Sequence, residues 1–294
     1  MTRTWLITGA SRGLGRELAR AVLENGDRLV ATARRPEQLS EFTERYGGRV
    51  RTVALDITDA EAAVAAVRTA ETEFGGLDVV ANNAGYANSA AIEHTSLAEF
   101  RAQIETNLFG VINVTKAALP VFHRQRSGLF LQFSSIGGRV GATPGLAPYQ
   151  TSKFGVEGFS EVLAAETAPL GIKVVIVEPG GFRTDWAGSS MAIAGTTEDY
   201  ATTVGRMHQY RADSAGQQPG DPARAARLLV KVAGLDAPPR RLPLGSDAVD
   251  IALAAGQVRQ DETAAWAAVS RSTDYASEVD PGQTSLADLL DRRG

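Results

Sequence analysis

A tyrosine and a lysine stand four residues apart in the segment Tyr149-Gln150-Thr151-Ser152-Lys153. On a helix this spacing places the phenol and the ammonium on one face. A phenol has a pKa of about 10 and transfers protons poorly near neutral pH unless a nearby cation stabilises its phenolate. Because the chain has only four lysines among 294 residues, such a pair is uncommon by chance. The spacing predicts a tyrosine acid–base catalyst assisted by a lysine.

A glycine-rich turn, Thr8 to Gly15, joins an apolar segment to a helical pattern near the N-terminus. Glycines at 9, 13 and 15 allow a sharp turn and a close approach of a pyrophosphate to the backbone N–H groups. The following helix adds unsatisfied N–H groups and the positive end of its dipole. No Gly-Lys-Ser/Thr follows, so this is not a Walker-type loop. The turn indicates a dinucleotide site, with a ligand-free glycine turn as the alternative.

The end of the second predicted strand bears on the choice between NAD and NADP. An acidic residue there would accept the ribose 2′-OH of NAD. The chain instead has Ala33 followed by Arg34 and Arg35, and Arg12 adds a cation in the glycine turn. Guanidinium groups bind a 2′-phosphate, which a carboxylate would repel. The sequence favours NADP(H) over NAD(H); two solvated surface arginines are the alternative.

Short apolar runs alternate with amphipathic segments along the chain and must position these residues. The predicted strands are Trp5–Ile7, Arg28–Ala33, Val50–Leu55, Leu77–Ala81, Leu129–Phe133, Lys173–Val177 and Arg241–Leu244. The predicted helices are Gly13–Glu24, Pro36–Arg45, Asp59–Phe74, Ser96–Phe122, Tyr149–Ala168, Pro222–Val232 and Asp247–Ala255. Near-continuous apolar strands between helices indicate a parallel sheet covered on both faces. Right-handed crossovers then give a doubly wound α/β sheet, the Rossmann fold.

The pattern predicts a single catalytic domain over residues 1–250, followed by a C-terminal helix and polar tail over 251–294. Within the domain, residues 182–220 contain no clear strand and mix apolar residues with glycine and serine. A long irregular insertion in a compact domain is usually functional, so we interpret this segment as a substrate lid.

Composition excludes several classes of function. The absence of cysteine excludes thiolate catalysis, disulfides and cysteine-ligated metal sites. The three histidines are scattered, so we predict no metal. The net charge of −4 lacks the basic excess typical of nucleic-acid binding. No signal peptide or long apolar span is evident, so we expect a cytoplasmic protein that does not enter membranes.

Six motifs occur in a fixed order along the chain: Thr8-Gly9-xxx-Gly13-x-Gly15, Asn82-Asn83-Ala84-Gly85, Asn107, Ser135, Tyr149-xxx-Lys153 and Pro179-Gly180-xxx-Thr184. In this register the chain resembles the classical short-chain dehydrogenase/reductase family over residues 3–250. The resemblance implies hydride transfer between a nicotinamide cofactor and a ketone or secondary alcohol.

The same resemblance implies four catalytic roles. Tyr149 would protonate the carbonyl oxygen in reduction, or take the hydroxyl proton in oxidation. Lys153 would lower the tyrosine pKa and bind the nicotinamide ribose, and Asn107 would anchor a water connecting that lysine to solvent. Ser135 would hydrogen-bond the substrate oxygen. It precedes Tyr149 by fourteen residues where the family pattern has thirteen, so Ser134 is the alternative serine.

The cofactor residues that follow from the resemblance are Gly9, Ser11, Arg12, Gly13, Leu14, Gly15, Arg34, Asp56, Ile57, Asn83, Ala84, Gly85, Tyr149, Lys153, Pro179, Gly180, Phe182 and Thr184. Several have structural alternatives. Asp56 could only cap a turn, Thr184 could cap a helix, and Asn107 could cap a helix or bond a neighbouring strand.

The substrate is the least determined feature. Its walls should come from residues 86–88, 137–147 and 182–210. The apolar residues there, Trp186, Met191, Ile193 and Leu146, predict a fairly large apolar substrate, or else only pack the lid onto the body. Arg183 and Arg206 are candidates for binding a substrate carboxylate.

The resemblance also implies a homodimer or homotetramer, built on the helices Ser96–Phe122 and Tyr149–Ala168. Two other functions stay open. One is a catalytically silent NAD(P)-binding sensor, which has no need of the serine, tyrosine, lysine and asparagine together. The other is hydride transfer to a carbon–carbon double bond, which requires a different tyrosine spacing.

Overall fold

The computed structural model describes residues 2–184, 191–275 and 279–291. The chain divides into two compact units, the first ending at Ala248 and the second beginning at Val249. The first unit carries every predicted site residue. The described residues of the second are mostly helical.

Two parallel sheets lie in the first unit. The nine described strands are β1 (Thr4–Ile7), β2 (Arg28–Ala33), β3 (Val50–Ala54), β4 (Val79–Asn82), β5 (Ala87–Ser89), β6 (Gly128–Phe133), β7 (Ile172–Pro179), β8 (Met191–Ile193) and β9 (Arg241–Leu244). The large sheet has the order β3-β2-β1-β4-β6-β7-β9, and β5 pairs with β8 in the small one. This order confirms the predicted doubly wound fold.

Helices connect the strands of the large sheet. They are α1 (Gly13–Glu24), α2 (Ser40–Tyr46), α3 (Ala60–Phe74), α4 (Leu97–Ile104), α5 (Gly110–Gln125), α6 (Ile136–Arg139), α7 (Ala147–Thr167), α8 (Arg206–Asp213) and α9 (Pro222–Val232). Asp59 and Asp221 cap α3 and α9 through their side chains, as expected for an acidic residue just before a helix.

Burial on both faces explains the near-continuous apolar strands. In β1, Trp5 and Ile7 belong to one hydrophobic core cluster, and Leu6 belongs to the cluster on the opposite face. Successive strand residues point to opposite faces, so only an apolar run can cover both. Helices α1 and α9 contribute to the first cluster, whereas α3, α5 and α7 contribute to the second.

The strand order reverses between β1 and β4, which neighbour each other at the centre of the sheet. In open parallel sheets, ligands bind beyond the carboxyl ends of the strands at such a reversal. The loops that follow β1, β4, β6 and β7 all leave the sheet at this edge. They carry the glycine turn, the Asn83-Ala84-Gly85 turn, Ser135 and Gly180 respectively.

The predicted helix Ser96–Phe122 is interrupted. Between α4 and α5 the chain widens into a π-helical turn over Glu105–Phe109. Asn107, at the centre of this turn, accepts a hydrogen bond from the Tyr86 amide at 3.1 Å and donates one to the Tyr86 carbonyl at 2.9 Å. Such turns are frequent at functional sites because they aim a side chain out of the regular helical pattern.

Three local predictions need correction. The segment 182–220 does contain a strand, β8, whose three residues were too few to show a pattern without their partner β5. The C-terminal helix α10 runs from Ser246 to Arg271 rather than ending at Ala255, since good helix formers continue beyond that point. The tail is partly helical, with α11 at Leu286–Asp291. Among the described helices, none combines the length and apolar character needed to cross a bilayer.

Candidate active site

The glycine turn after β1 has the conformation that its sequence predicts. Gly9 and Gly13 have φ values of +67° and +55°, which residues with a side chain rarely adopt. A Cβ on Gly15 would lie 2.3 Å from the Gly9 carbonyl oxygen and 2.4 Å from Asn83 Nδ2. Arg12 precedes α1 in an extended conformation, and its side chain makes no cap hydrogen bond to the helix. The first-turn N–H groups of α1 are therefore suited to an anion such as a phosphate.

The turn after β4 is tied to the glycine turn by reciprocal hydrogen bonds. Thr8 Oγ1 accepts from the amides of Asn83 and Ala84, both at 3.0 Å. In return, Asn83 Nδ2 donates to the carbonyls of Thr8 at 3.0 Å and Gly9 at 3.2 Å. These bonds make one rigid rim from two turns that lie about 75 residues apart in the chain.

Asn82 steadies the same edge from within the core. Its side-chain amide donates to Thr115 Oγ1 at 3.0 Å and to Gln132 Oε1 at 2.9 Å, and Gln132 also donates to Thr115 at 3.0 Å. All three side chains are buried. They connect β4, β6 and α5 beneath the site.

Tyr149, Lys153 and Ser135 come together beyond the end of β6. Tyr149 and Lys153 are both buried near the start of α7, and the lysine Nζ lies 5.8 Å from the centre of the tyrosine ring. Lys153 Nζ donates to the Phe133 carbonyl at 2.7 Å. The side chain of Ser135 hydrogen-bonds Tyr149, and its Oγ accepts from the Gly137 amide at 3.1 Å.

The neighbouring serine, Ser134, does not bond the tyrosine but the backbone of α7. Ser134 Oγ donates to the Lys153 carbonyl at 3.3 Å inside the protein. Ser135, not Ser134, therefore contacts the tyrosine. The loop before α7 contains Ala142, whose φ is +67°, and Gly145, whose φ is +84°. A left-handed conformation is uncommon for a residue with a side chain, so the backbone turns tightly at Ala142.

Asn107 lies next to the lysine. A Cβ on Gly85 would be 3.1 Å from Asn107 Oδ1 and 3.7 Å from Lys153 Nζ, so both groups border this glycine. Asn107 Nδ2 also donates to Ser152 Oγ at 3.2 Å, and Ser152 donates to the Tyr149 carbonyl at 2.6 Å. Sequence reasoning missed Ser152; its position between the tyrosine and the lysine was the available signal.

Burial shifts the pKa values of the pair in opposite directions. It raises the pKa of Tyr149 to about 12, against the lowering effect of the Ser135 hydrogen bond. It lowers the pKa of Lys153 to about 8. Both shifts disfavour the charged form, as burial does. The expected lowering of the tyrosine pKa by Lys153 is therefore not seen, because desolvation dominates.

Arg34 and Asp56 occupy the outer end of the crevice. Arg34 is exposed, and its positive charge lowers the pKa values of both Asp56 and Tyr86, although it is a minor cause in each case. The main causes for Asp56 are hydrogen bonds from the Thr58 amide at 3.0 Å and hydroxyl at 2.8 Å. Asp56 thus caps the turn after β3, and Ile57 is buried beside Gly110.

The segment after β7 returns to the glycine turn. The Gly180 amide donates to the Leu244 carbonyl at 2.9 Å, and Phe182 pairs with Gly220 in an isolated bridge. A Cβ on Gly13 would lie 3.6 Å from Thr184 Cβ. The predicted cofactor residues from both halves of the sheet therefore meet across the crevice. Residues 185–190, which follow Thr184, lie outside the described residues.

On the predicted substrate side, Leu146 and Met191 form a small buried cluster with Ala87 and Tyr149. Two of the expected wall residues thus lie at the tyrosine. Ile193 is 47% exposed, and Trp186 falls outside the described residues. Neither candidate carboxylate-binding arginine lies in this cluster: Arg183 donates to the Gln218 carbonyl at 2.7 Å, and Arg206 is exposed.

A polar cluster adjoins this apolar one and was not foreseen. Ser89, fully buried on β5, is 2.9 Å from His208 Nε2 and accepts a hydrogen bond from Arg211 Nη1 at 2.8 Å. Burial and the Arg211 charge both lower the pKa of His208. The cluster fastens α8 to the small sheet, and no pattern in the sequence links these three residues.

Comparisons with known proteins agree with this geometry. The family model described as short chain dehydrogenase matches residues 3–192. Oxidoreductase BOA17 of Botryotinia fuckeliana is 48% identical over 271 residues, covering 92% of this chain and 98% of the relative. The chain belongs to the short-chain dehydrogenase family.

Two solved structures show the same fold. A short-chain dehydrogenase from Streptomyces avermitilis is 37% identical, with a TM-score of 0.86 and coverage of 93% of this chain and 98% of that one. A short-chain dehydrogenase from Burkholderia cenocepacia, solved in complex with NADP, is 26% identical, with a TM-score of 0.70 and coverage of 90% and 96%.

Replacing Gly15 with alanine should disrupt the rim. Because the new Cβ would overlap the Gly9 carbonyl and the Asn83 amide, we expect a loss of about 1–3 kcal/mol in the free energy of unfolding. Urea denaturation measures this loss, and NADPH should no longer raise the thermal midpoint. Gly48→Ala is the matched control, because a Cβ there meets no atom within 4 Å. Equal stabilisation of Gly15→Ala and wild type by NADPH would contradict the assignment.

Proposed function

We propose that the protein is an NADP(H)-dependent oxidoreductase that transfers a hydride between the nicotinamide and a ketone or secondary alcohol, with Tyr149 as general acid and base. The observation that carries this proposal is the contact of Ser135 with the buried Tyr149, one helical turn from Lys153, at the carboxyl edge of the sheet. Oxidoreductase chemistry itself follows from the family.

The crevice suits a dinucleotide. The N-terminus of α1, where the Arg12 side chain makes no cap, and the glycine turn, where Gly15 leaves no room for a Cβ, would hold the pyrophosphate. Gly180 and Thr184 would border the nicotinamide half, and Asn83-Ala84-Gly85 would form the floor. Bound NADPH would supply the hydride. The Burkholderia cenocepacia structure, which contains NADP, supports this choice of cofactor.

Arg34 supports NADP(H) over NAD(H). The strand that would carry an acidic residue for the ribose ends at Ala33. The charge of the next residue, Arg34, acts on Asp56 and Tyr86 in the loops after β3 and β4. A guanidinium in this position can bind a 2′-phosphate through charge-assisted hydrogen bonds.

The side chains of the site divide the proton chemistry. Ser135 would hydrogen-bond the carbonyl oxygen and hold it beside the Tyr149 hydroxyl, which donates its proton as the oxygen gains negative charge. The Lys153 ammonium would stabilise the phenolate that remains, and Asn107 and Ser152 would hold the polar path behind the lysine. In the reverse direction the phenolate takes the alcohol proton.

We also propose that the protein is a homodimer or homotetramer that associates through the predicted helical face, which the structure divides among α4, the π-helical turn Glu105–Phe109, α5 and α7. Exposed apolar residues are present there, including Phe109 at 47%, Phe154 at 41% and Val162 at 57%. Apolar groups exposed in this way favour association. We propose that the substrate is a small-molecule ketone or alcohol with an apolar part that contacts Leu146 and Met191.

Replacing Tyr149 with phenylalanine tests the proposal directly. The variant keeps the ring but loses the proton donor, so kcat for ketone reduction should fall by about 10²–10⁴-fold. NADPH oxidation across a ketone panel measures turnover, and fluorescence titration should give an unchanged Kd for NADPH. Tyr275→Phe, at a fully exposed tyrosine, is the control. Binding of NADPH without turnover by the wild type would instead favour the silent sensor.

The pH dependence follows from Lys153. Its folded pKa of about 8 lies below the usual lysine value, so the ammonium loses its proton as the pH rises through about 8. Tyr149, with a pKa of about 12, stays protonated over this range. Since a neutral amine cannot stabilise the developing phenolate, kcat/KM for reduction should be level below about pH 8 and decline above it. A profile that stays level into the usual lysine range would contradict this assignment.

Arg34→Gln should lower the affinity for NADPH by about tenfold and leave that for NADH nearly unchanged, because only NADPH carries the 2′-phosphate. Fluorescence titrations with both cofactors measure the two Kd values. Arg35→Gln is the matched control for the loss of one surface charge. Equal weakening of both cofactors, or the larger loss at Arg35, would overturn the assignment of Arg34.

A further inference from the structure

Two carboxylates on helix α7 follow its proposed catalytic pair at the same four-residue spacing. Tyr149, Lys153, Glu157 and Glu161 follow one another at four-residue intervals and therefore lie along one side of the helix. The first two face the site. The next two form ion pairs with Arg241 on β9, so one row of side chains joins the site to a network of charges.

A carboxylate on β7 lies at the centre of this network. The Glu178 side chain is completely buried, and it follows the apolar run of residues 174–177 in β7. Arg139 Nη1 donates to it at 3.1 Å, and Arg241 Nη1 donates to its other oxygen at 2.9 Å. Burial raises the pKa of Glu178, and the Arg139 hydrogen bond opposes that rise.

A buried charge network is a poor source of stability. The desolvation of each charge offsets much of the attraction, and apolar residues of similar volume would often hold these elements together as well. Apolar packing does not fix the relative orientation of the packed segments. Hydrogen-bonded ion pairs do, and a guanidinium that binds two carboxylates fixes the orientation of both segments that carry them.

The joined segments are those that carry the proposed chemistry. Arg139 ends α6, the short helix whose first turn is capped by Ser135. Glu178 directly precedes Pro179-Gly180, which would border the nicotinamide. Glu157 lies one turn beyond Lys153 and binds the same arginine as Glu178. The Arg139–Glu178 bond therefore links the turn that would hold the substrate oxygen to the turn that would hold the hydride donor.

We propose that Arg139 is a positioning residue, which acts through Glu178 to hold the Ser135 turn at a fixed distance from the nicotinamide-binding segment after β7. This inference rests on the proposed function of the site. In this role Arg139 contacts neither substrate nor cofactor, and it affects only the geometry of hydride transfer.

Arg139 can be removed without leaving Glu178 unpaired, because Arg241 still binds that carboxylate. In Arg139→Met we expect kcat for ketone reduction to fall by about 10- to 100-fold, the loss typical of a small misplacement of reacting groups. The Kd for NADPH should change little. The isotope effect measured with NADPH deuterated at the transferred position should rise, since hydride transfer becomes slower. Arg139→Lys, which can still donate to Glu178, should recover most of the rate.

A second readout does not depend on turnover. With the turn after β7 less restrained, bound NADPH should have a shorter fluorescence lifetime in Arg139→Met than in the wild type, because its nicotinamide moves more freely. Arg124→Met is the control for both readouts, since it removes an exposed ion pair with Glu71 on the outer surface. It should leave rate and lifetime unchanged.

The outcomes separate the two proposals. Unchanged kcat and lifetime in Arg139→Met, with only a lower thermal midpoint, would show that the network is a structural link and overturn the inference. If Arg139→Met fails to fold, Arg139→Gln, whose shorter and uncharged side chain weakens the bond to Glu178, should show a smaller fall in kcat and lifetime, and no change in either would overturn the inference. Absence of ketone reduction in the wild type would refute the proposed function, while the lifetime would still decide whether Arg139 restrains the nicotinamide segment. A wild type that binds no NADPH would overturn both.

Discussion

The burial of the Lys153 ammonium is the constraint on which the site depends. A cation removed from water is unfavourable unless it finds hydrogen-bond acceptors, and Lys153 meets the Phe133 carbonyl at 2.7 Å at the end of β6. This contact requires α7 to lie close against β6 and α6. A Cβ on Gly138 would be 2.8 Å from the lysine Cβ, so glycine there permits the approach. The same burial lowers the lysine pKa and raises that of Tyr149.

Two sets of polar contacts hold the site, and they differ in reach. The rim formed by Thr8 and Asn83 uses short, uncharged side chains and backbone groups, which suits the close approach of a dinucleotide. The network of Arg139, Glu178 and Arg241 uses long charged side chains and joins segments on the other half of the sheet. The first set shapes the proposed cofactor crevice, and the second relates the two turns beside the reacting atoms.

Local patterns predicted the large sheet and most of its helices. Each buried strand needs apolar residues on both faces, so β1, β2, β4, β6 and β7 were visible as apolar runs. The caps at Asp59 and Asp221 were visible for a similar local reason. The exceptions depended on partners distant in sequence. Strand β8 exists through its pairing with β5, and the π-helical turn at Asn107 coincides with hydrogen bonds to Tyr86.

From the sequence by itself, the glycine turn and the tyrosine–lysine pair could be inferred, because each depends on spacing within one short segment. The fold class followed from the alternation of apolar and amphipathic segments along the chain, and the candidate serine followed from the resemblance to the family. Only the tertiary structure decided which serine contacts Tyr149 and how far burial shifts its pKa. It also decided that Glu178, a buried charge that follows an apolar run in β7, lies between two arginines from other parts of the chain. Hydrogen bonds and desolvation depend on distances across the fold, and no local pattern contains those distances.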